Sequence, residues 1–387
     1  MFTQKSKKHI KKRVEKREKK SKKVRFSTNN TSIQLFDKNN IVTPNYKPIL
    51  GLEIEQLNVF NHRKNIVFLQ KLEFDVWYNT KIKYPLLVAQ PIDEKTFKQN
   101  NEVRRDLIVD SFAPDINRNI TRRQTFTEED YYIYMEYGGS MGHNAPASYH
   151  KTNLDTYKET FLLSNVCPQE IVMNAGIWVL LETWCKDFYL HGQSKIKNMI
   201  IFTGSIKSKS TKILKSYMKD GKSVKMNIPT HMYKIIMYMT KEGKFTCFAY
   251  LFKNEPYYMR NDTKFYDMSN NLISLDRLSK MAELNLNQIL NYYSQKCGLV
   301  KGLDSNNIPN KHEIFKFIKK KKFRFYINKY FTTQMGRSEY YGRLINSKTM
   351  EELERHWKVV NKREEEFKNI DFHREYYNMA RKRLNNN

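Results

Sequence analysis

The sequence lacks any long hydrophobic run, and it contains few cysteines. No apolar stretch approaches the roughly 18–20 residues that a helix needs to cross a bilayer. The first residues, MFTQKSKKHIKK, have no apolar core of the kind found in secretory signals. The four cysteines are widely spaced and form no CxxC pair, so we expect reduced thiols in an intracellular protein rather than a structural zinc site. They are Cys167, Cys185, Cys247 and Cys297.

Acidic residues are also scarce relative to basic ones. The 387 residues include 40 Asp and Glu against 69 Lys and Arg, for a formal net charge of +29. Such an excess favours a polyanionic partner, nucleic acid first and an anionic membrane surface second, although basic chains also simply stay soluble. Hydrophobic residues make up 40% of the chain, which is enough for a core and argues against wholesale disorder.

The N-terminal region is predicted to be a basic, disordered arm followed by a linker, together residues 1–49. Residues 1–26 hold thirteen Lys or Arg against two Glu and cannot bury an apolar face. This arm could bind phosphates, act as a nuclear address, or remain a solvated tail. Its lysine run argues against a mitochondrial transit peptide, which would favour Arg and Ser.

A globular domain is predicted over residues 50–300. Alternating β-branched and aromatic residues predict two strands about a turn at 78–81 and a hairpin turning at 241–244. Residues 198–206 resemble a buried strand that ends in a glycine turn, and residues 174–184 suit a helix.

The C-terminal region, residues 301–387, is predicted to be a basic and mostly helical extension. Residues 349–384 have the charge density of a long solvent-exposed helix or helix pair. Residues 311–331 place aromatics among lysines. That segment suits phosphate contacts with base stacking, an amphipathic element on a membrane, or an ordinary basic surface.

Two segments carry residues suited to chemistry. GGSMGHNAPASYH, residues 138–150, holds two of the nine histidines. A helix beginning near Asn174 would place a neutral oxygen ligand, a carboxylate and an ammonium along one stripe, because residues four apart rotate by only about 40°. A helix cap by Asn174 and an ion pair between Glu182 and Lys186 are alternatives that the spacing alone favours. The stripe comprises Asn174, Trp178, Glu182 and Lys186.

Four motifs follow one another over about residues 60–280. They are GHNAPASYH, then SNVCPQEIVMNAGIWVLLE, then the TG-ending strand NMIIFTGSI, then NIPTHMYKIIM. In this order they resemble the DNA/RNA non-specific endonuclease family, the ββα-metal nucleases that include endonuclease G. The matching residues are His143, Pro146, His150, Ser164, Asn165, Pro168, Gln169, Asn174, Trp178, Leu181, Glu182, Thr203, Gly204, Pro229, Thr230, His231 and Lys234.

The resemblance implies an α+β fold. Its mixed or antiparallel central sheet would be flanked by helices and would carry a ββα-metal finger. It implies a hydrolase that uses Mg²⁺, or Mn²⁺ in its place, to cut DNA and RNA with little sequence preference, leaving 5′-phosphate and 3′-hydroxyl ends. Nucleic acid is the implied partner, and many family members form homodimers.

The resemblance also implies roles for individual residues. His143 would be the general base that takes a proton from the attacking water, a task that suits imidazole at neutral pH. Asn174 would be the only direct protein ligand to Mg²⁺, and Glu182 would hold metal-bound waters as a catalytic carboxylate. Lys186, where the family commonly has an arginine, would contact a substrate phosphate, and Asn165 would assist near the substrate. His150 and Trp178 are interpreted as packing residues.

One departure from the family pattern bears on activity. The family's DRGH reads SMGH, so Ser140 replaces the acid and Met141 replaces a phosphate-binding arginine. A substitute cation is then expected from the substrate-binding candidates Arg122 and Arg123, or from Lys151. The alternative is a weak or inactive nucleic-acid-binding or packaging protein on the nuclease fold. Retention of base, ligand and carboxylate leads us to predict activity.

The compartment is predicted only broadly. Without a secretory signal, we expect an intracellular protein of the nucleus, the cytoplasm, or a virion or virus factory. A virion is included because the composition, rich in Lys, Asn, Ile and Tyr, is typical of AT-rich genomes such as those of large viruses. A further alternative has the basic extensions bind an anionic membrane with the core as cargo.

Overall fold

The computed structural model describes most of the predicted globular domain and part of the C-terminal extension. The predicted arm and linker, residues 1–49, and the lysine-rich aromatic segment 311–331 lie outside the described residues. The boundary predicted at residue 300 lies outside them too and stays a prediction. The described residues are 59–60, 64–97, 112–192, 196–243, 245–257, 268–296, 338–362 and 370–386.

The described strands form one large antiparallel sheet and two hairpins. The sheet has the order β1-β2-β3-β6-β9-β10-β11, and each neighbouring pair is antiparallel. The hairpins are β4-β5 and β7-β8. The strands are β1 (Ile66–Gln70), β2 (Asp75–Asn79), β3 (Tyr84–Ile92), β4 (Gly139–His143), β5 (Val166–Glu170), β6 (Ile196–Ile206), β7 (Lys212–Lys215), β8 (Ser223–Met226), β9 (His231–Thr240), β10 (Phe245–Lys253) and β11 (Leu272–Ile273).

The described helices complete an α+β fold, as predicted. They are α1 (Glu128–Met135), α2 (Leu154–Glu159), α3, α4 (Leu275–Ala282), α5 (Leu286–Lys296), α6 (Met350–Lys362) and α7 (Ile370–Asn385). Helix α3 comprises Ile171–Met173, a π-helical turn at Asn174–Trp178, and Val179–Gly192. Residues 338–345 are also helical. No helix among the described residues is long and apolar enough to span a membrane.

Helices cover both faces of the sheet. The Trp184 ring of α3 lies 6.0 Å from Tyr250 on β10. On the other face, the Tyr293 ring of α5 lies 5.3 Å from Phe202 on β6. The central strands β6 and β9 are therefore buried on both sides, which explains their nearly continuous runs of apolar residues.

Both predicted turns are present, and two details are corrected. The turn between β2 and β3 covers residues 80–83 instead of 78–81, because Tyr78 and Asn79 still pair with β3. Gly243, at φ +82°, turns the β9-β10 hairpin. The glycine turn predicted after 198–206 is wrong, because β6 continues through Gly204 to Ile206. A Cβ on Gly204 would lie 2.3 Å from the Leu86 carbonyl oxygen, so this glycine permits a close strand approach rather than a turn.

The C-terminal helix pair is confirmed, but its predicted exposure to solvent is wrong. Leu353 and Val360, seven residues apart on α6, are buried, as is Tyr376 on α7. They pack in one cluster with Ile171 and Val172 at the start of α3. The high charge density of the segment concealed this apolar stripe.

Candidate functional site

A ββα unit carries the central residues of the candidate site. Strands β4 and β5 pair in antiparallel fashion, with His143 opposite Val166, and β5 runs directly into α3. The first turn of α3 is capped by Glu170, whose carboxylate accepts a hydrogen bond from the Met173 amide at 2.7 Å. The cap is therefore not Asn174, which lies inside the helix and keeps its side chain available.

The π-helical turn at Asn174–Trp178 aligns Asn174 with Glu182. In a regular α-helix, residues eight apart differ in direction by about 80°. A π-turn inserts about one residue into the helical register. Asn174 and Glu182 are then oriented as if they were seven residues apart, and the angle between their directions about the helix axis falls to about 20°. The wide turn therefore places both side chains on one face more closely than an uninterrupted helix would.

A short hydrogen-bond chain orients the Asn174 amide. Asn174 Nδ2 donates to Ser140 Oγ at 3.0 Å, and Ser140 Oγ donates to the Gln169 carbonyl oxygen at 3.1 Å. Ser140 is buried, so this arrangement is shielded from competing water. Within the described part of the chain no donor reaches Asn174 Oδ1, which leaves that oxygen as a ligand for a cation.

Glu182 is a half-buried carboxylate beside a buried lysine. Burial raises the pKa of Glu182 from 4.5 to about 7, against the opposing effect of Lys234. Lys234 Nζ donates to Thr203 Oγ1 at 2.7 Å and lies 4.8 Å from the Trp178 ring centroid. Burial lowers the pKa of Lys234, while Glu182 acts in the other direction. No described residue donates a hydrogen bond to the Glu182 carboxylate, so its oxygens are available to water.

His143 ends β4 and is half-buried between two aromatic rings. Its ring centroid lies 5.2 Å from that of Phe112 and 5.1 Å from that of Phe161. The residue before it, Gly142, packs so closely against the Gln169 side chain that a Cβ there would lie 1.9 Å from Gln169 Oε1. Glycine fits this position because it has no Cβ. This packing limits the orientations of the imidazole.

Asn165 supports the turn after His143. Its Oδ1 accepts from the Ala145 amide at 2.9 Å, and its Nδ2 donates to the carbonyl oxygens of Ala145 and Thr160. Asn165 is fully buried, and its bonds fix the main chain next to the candidate base. Its contact with substrate stays a prediction.

The predicted cations differ in exposure, because Lys186 is half-buried whereas Arg122 and Arg123 are exposed. Lys186 Nζ lies 5.7 Å from the Phe97 ring centroid. It makes no ion pair with Glu182 within the described residues, so that alternative is not formed. Arg122 and Arg123 are exposed on a short 3₁₀ turn, Arg122–Gln124. Their contact with substrate stays a prediction.

The interpretation of His150 and Trp178 as packing residues agrees with their surroundings. His150 Nδ1 lies 2.6 Å from Glu73 Oε2, and His150 Nε2 lies 2.8 Å from Gln90 Nε2. Both ring nitrogens are therefore engaged in the interior. Trp178 is buried against Lys234.

The strand that carries SMGH is attached to the C-terminal helices, which sequence reasoning missed. Tyr376 Oη on α7 donates to the Gly139 carbonyl oxygen at 2.8 Å. Met141 packs against both the central core and the C-terminal cluster. Met141 and His143 are two residues apart and point to the same face of β4. The apolar stripe of residues 353–380 was the available signal for this contact.

The donor set fits a hard cation held mainly by water. Within the described ranges, no three His, Cys, Asp or Glu side chains cluster as metal ligands. One oriented amide oxygen at Asn174 and one half-buried carboxylate at Glu182 remain. Mg²⁺ keeps several waters and accepts such sparse oxygen coordination.

Comparison with known proteins points to one family. A sequence model described as DNA/RNA non-specific endonuclease matches residues 57–292. The chain is 28% identical over 184 residues to "Nuclease EXOG, mitochondrial" of Xenopus laevis, covering 45% of this chain and 46% of that protein. It is 28% identical over 192 residues to "Mitochondrial nuclease" of Saccharomyces cerevisiae, covering 44% and 56%. The chain thus spans about half the length of these curated relatives.

A solved structure is also similar. A chain from the crystal structure of an EndoG/EndoGI complex has 22% sequence identity and a TM-score of 0.44. The match covers 57% of this chain and 88% of that chain.

Replacing Glu182 by Gln should stabilise the protein at alkaline pH. Because the folded state holds the Glu182 proton more tightly than the unfolded chain, ionisation lowers the free energy of unfolding as pH rises from about 4.5 to about 7. Glu182→Gln removes this loss. We therefore expect the variant to have a free energy of unfolding about 1–3 kcal/mol higher than the wild type at pH 8 and almost the same at pH 4. Urea unfolding at both pH values tests this; equal stability of the two proteins at pH 8 would contradict it.

Replacing Met141 by Arg should weaken the attachment of β4 to the C-terminal helices. The guanidinium would enter an apolar cluster, so we expect a loss of about 1–3 kcal/mol in the free energy of unfolding. Met141→Leu, which keeps volume and polarity, is the matched control and should cost less than about 1.5 kcal/mol. Thermal unfolding of both variants measures the difference. A Met141→Arg protein as stable as wild type would show that Met141 is not packed as described.

Proposed function

Because the chain belongs to the DNA/RNA non-specific endonuclease family, we propose that it hydrolyses phosphodiester bonds of DNA and RNA with Mg²⁺ held at Asn174. The observation that carries this proposal is the hydrogen bond from Asn174 Nδ2 to Ser140 Oγ, at 3.0 Å. It keeps the amide oriented although the family's acid is absent at Ser140. The departure from DRGH therefore leaves the metal ligand intact.

His143 would take the proton from the attacking water. Its position at the end of β4, next to Phe112 and Phe161, holds the imidazole in a restricted orientation. Asn165 fixes the turn that follows through its bonds to Ala145. A base held in place contributes more than a mobile one because less motion is lost on reaching the transition state.

Asn174 Oδ1 would be the direct protein ligand to the ion, and ionised Glu182 would accept hydrogen bonds from its waters. Bound Mg²⁺ supplies Lewis-acid stabilisation of the charge that develops on the phosphate and on the leaving 3′ oxygen. Mn²⁺ offers the same oxygen-directed coordination. Burial raises the pKa of Glu182 to about 7, so burial favours the protonated form before cation binding, and a nearby cation favours the ionised form.

Substrate phosphates would be held by other cations instead of by an arginine at Met141. Lys186 follows Glu182 by one helical turn, and Arg122 and Arg123 are the other proposed contacts. In this proposal all three contact the phosphate backbone of the nucleic acid and not its bases. Cleavage would therefore show little base preference and would act on both DNA and RNA.

A catalytically silent nucleic-acid-binding or packaging protein is the second proposal. It is favoured by one observation: Met141, on the same face of β4 as His143, is packed against apolar clusters and offers no charge. In that case the basic surface would bind nucleic acid while the chemical step is slow.

The place of action is inferred from the relatives. Several of them carry "mitochondrial" in their names, so we infer that this chain acts inside the cell. The nucleus, the cytoplasm and the virion stay predictions, as does the homodimer.

Plasmid nicking decides between the two proposals. We expect Mg²⁺-dependent nicking that EDTA abolishes and that His143→Ala lowers by about 10²–10⁴-fold, the usual contribution of a general base. His356→Ala, a histidine of α6, is the matched control and should retain activity. Metal-dependent nicking that survives His143→Ala would remove His143 as the base. Clean protein that shifts DNA on a gel without nicking it would support the silent protein.

Ser140→Ala should weaken cation binding by releasing the Asn174 amide. Loss of a partner that orients a ligand typically lowers metal affinity by about 10–100-fold, so we expect a shift of about tenfold. Mn²⁺ binding followed by electron paramagnetic resonance reports this without any turnover. Ser140→Thr, which keeps the hydroxyl, should restore affinity. Unchanged Mn²⁺ affinity in a folded Ser140→Ala protein would contradict the role of Ser140.

A further inference from the structure

The β7-β8 hairpin and its flanks form a concentrated positive surface. Residues 207–225 contain seven lysines and a single acid, Asp220. All seven lysines are exposed. They are Lys207, Lys209, Lys212, Lys215, Lys219, Lys222 and Lys225. We call residues 207–225 the lysine hairpin.

Three of these lysines are already paired. Lys207 Nζ lies 2.7 Å from Glu283 Oε2. Lys219 and Lys222 both contact the Glu129 carboxylate, at 2.6 and 3.7 Å.

The other four form no ion pair with any described residue, and their charge is available to a partner. They are Lys209, Lys212, Lys215 and Lys225.

The strand register sets which side chains face outward. Ile213 pairs with Lys225, and Leu214 pairs with Val224. Leu214 and Val224 are buried, whereas Ile213 is 61% exposed. Since side chains alternate between faces, Lys215 and Lys225 share the outer face with Ile213. The outer face of the two strands is therefore mainly cationic, with Ile213 as its large apolar side chain; Met218, in the turn between the strands, is also exposed.

The lysine hairpin is fixed to the rest of the protein. Tyr137 Oη donates to the Lys215 carbonyl oxygen at 2.7 Å, and Ser216 Oγ donates to Glu136 Oε1 at 2.8 Å. On the far side, Lys382 Nζ of α7 donates to the Met218 carbonyl oxygen at 2.7 Å. A backbone held in this way loses little conformational entropy when its side chains bind a partner.

The anchor of the lysine hairpin leads directly into the strand of the candidate base. Tyr137 lies two residues before β4, and His143 ends β4. Six residues of extended chain span at most about 20 Å. The main chain of Tyr137 therefore lies within about 20 Å of the main chain of His143, and the Tyr137 hydroxyl bonds to Lys215 of the lysine hairpin.

We propose that the lysine hairpin is a second nucleic-acid contact that binds the phosphate backbone next to the cleaved bond, an inference that rests on the proposed nuclease function. A membrane-binding element would present a broad apolar face beside its lysines. Ile213 and Met218, the exposed large apolar side chains of the lysine hairpin, do not form one. Point charges from lysine suit phosphates and carry no base preference.

Binding measured in EDTA tests this contact apart from chemistry. The variant replaces the four unpaired lysines, Lys209, Lys212, Lys215 and Lys225, by Gln in the full chain. The control replaces four exposed lysines on other elements, Lys81, Lys280, Lys348 and Lys358, and so has the same net charge. The probe is a duplex of about 25 base pairs, titrated at several salt concentrations.

We expect the hairpin variant to bind at least fivefold more weakly than the control. The slope of log affinity against log salt should be less negative by up to about 3.6, because each lost phosphate contact reduces the magnitude of the slope by about 0.9. Equal weakening of both variants would overturn the proposal, since it would reflect net charge alone. So would unchanged DNA binding with loss of binding to phosphatidylserine vesicles, which would assign the lysine hairpin to a membrane.

Cleavage provides the second measurement. On the long duplex, kcat/KM of the hairpin variant should fall with affinity, whereas a tetranucleotide too short to reach the lysine hairpin should be cut at the wild-type rate. Loss on both substrates would contradict the assignment. If the wild type proves inactive but the salt slopes differ as expected, the nuclease proposal fails and the contact stands.

Discussion

The contact between Lys234 and its three neighbours joins the sheet to the helix that carries the candidate site. An unpaired buried ammonium would cost several kcal/mol or would lose its proton. Here Thr203 accepts its hydrogen bond, the Trp178 ring face lies nearby, and Glu182 supplies negative charge. Because Glu182 and Lys234 shift each other's pKa, the charge of the site is set by the packing of α3 on the sheet. The four motif residues therefore act as one structural unit.

The altered SMGH segment becomes intelligible once the C-terminal helices are considered. Ser140 keeps the Asn174 amide oriented, and Met141 packs where apolar clusters from two parts of the chain meet. Tyr376 bonds the main chain of the same strand. An arginine at Met141 would place a charge at this junction. Methionine at this position therefore fits a β4 that is covered on one side by its own C-terminal helices.

Much of the fold and of the site could be predicted, because periodicity and motif spacing report on local structure. The hairpin at Gly243, the strand before Gly204 and the helix at Asn174 all follow from such patterns. The π-turn was not predictable, since a shifted backbone hydrogen bond leaves no mark in side-chain spacing. The orientation of Asn165 and the contact of Tyr376 with Gly139 depend on residues distant in sequence. The burial of α6 was missed because its charges outnumber its apolar residues.

The attachment of α7 to β4 has a consequence for synthesis of the chain. The finger, from Gly139 to Gly192, leaves the ribosome well before Tyr376 and Ala380 are made, since chains fold from the N-terminal side during translation. Until then Ile171 and Val172, at the base of the helix that bears Asn174, have no cover from the C-terminal helices. A nascent chain next to its own messenger RNA therefore holds an incompletely packed site, and helices that are made later complete it.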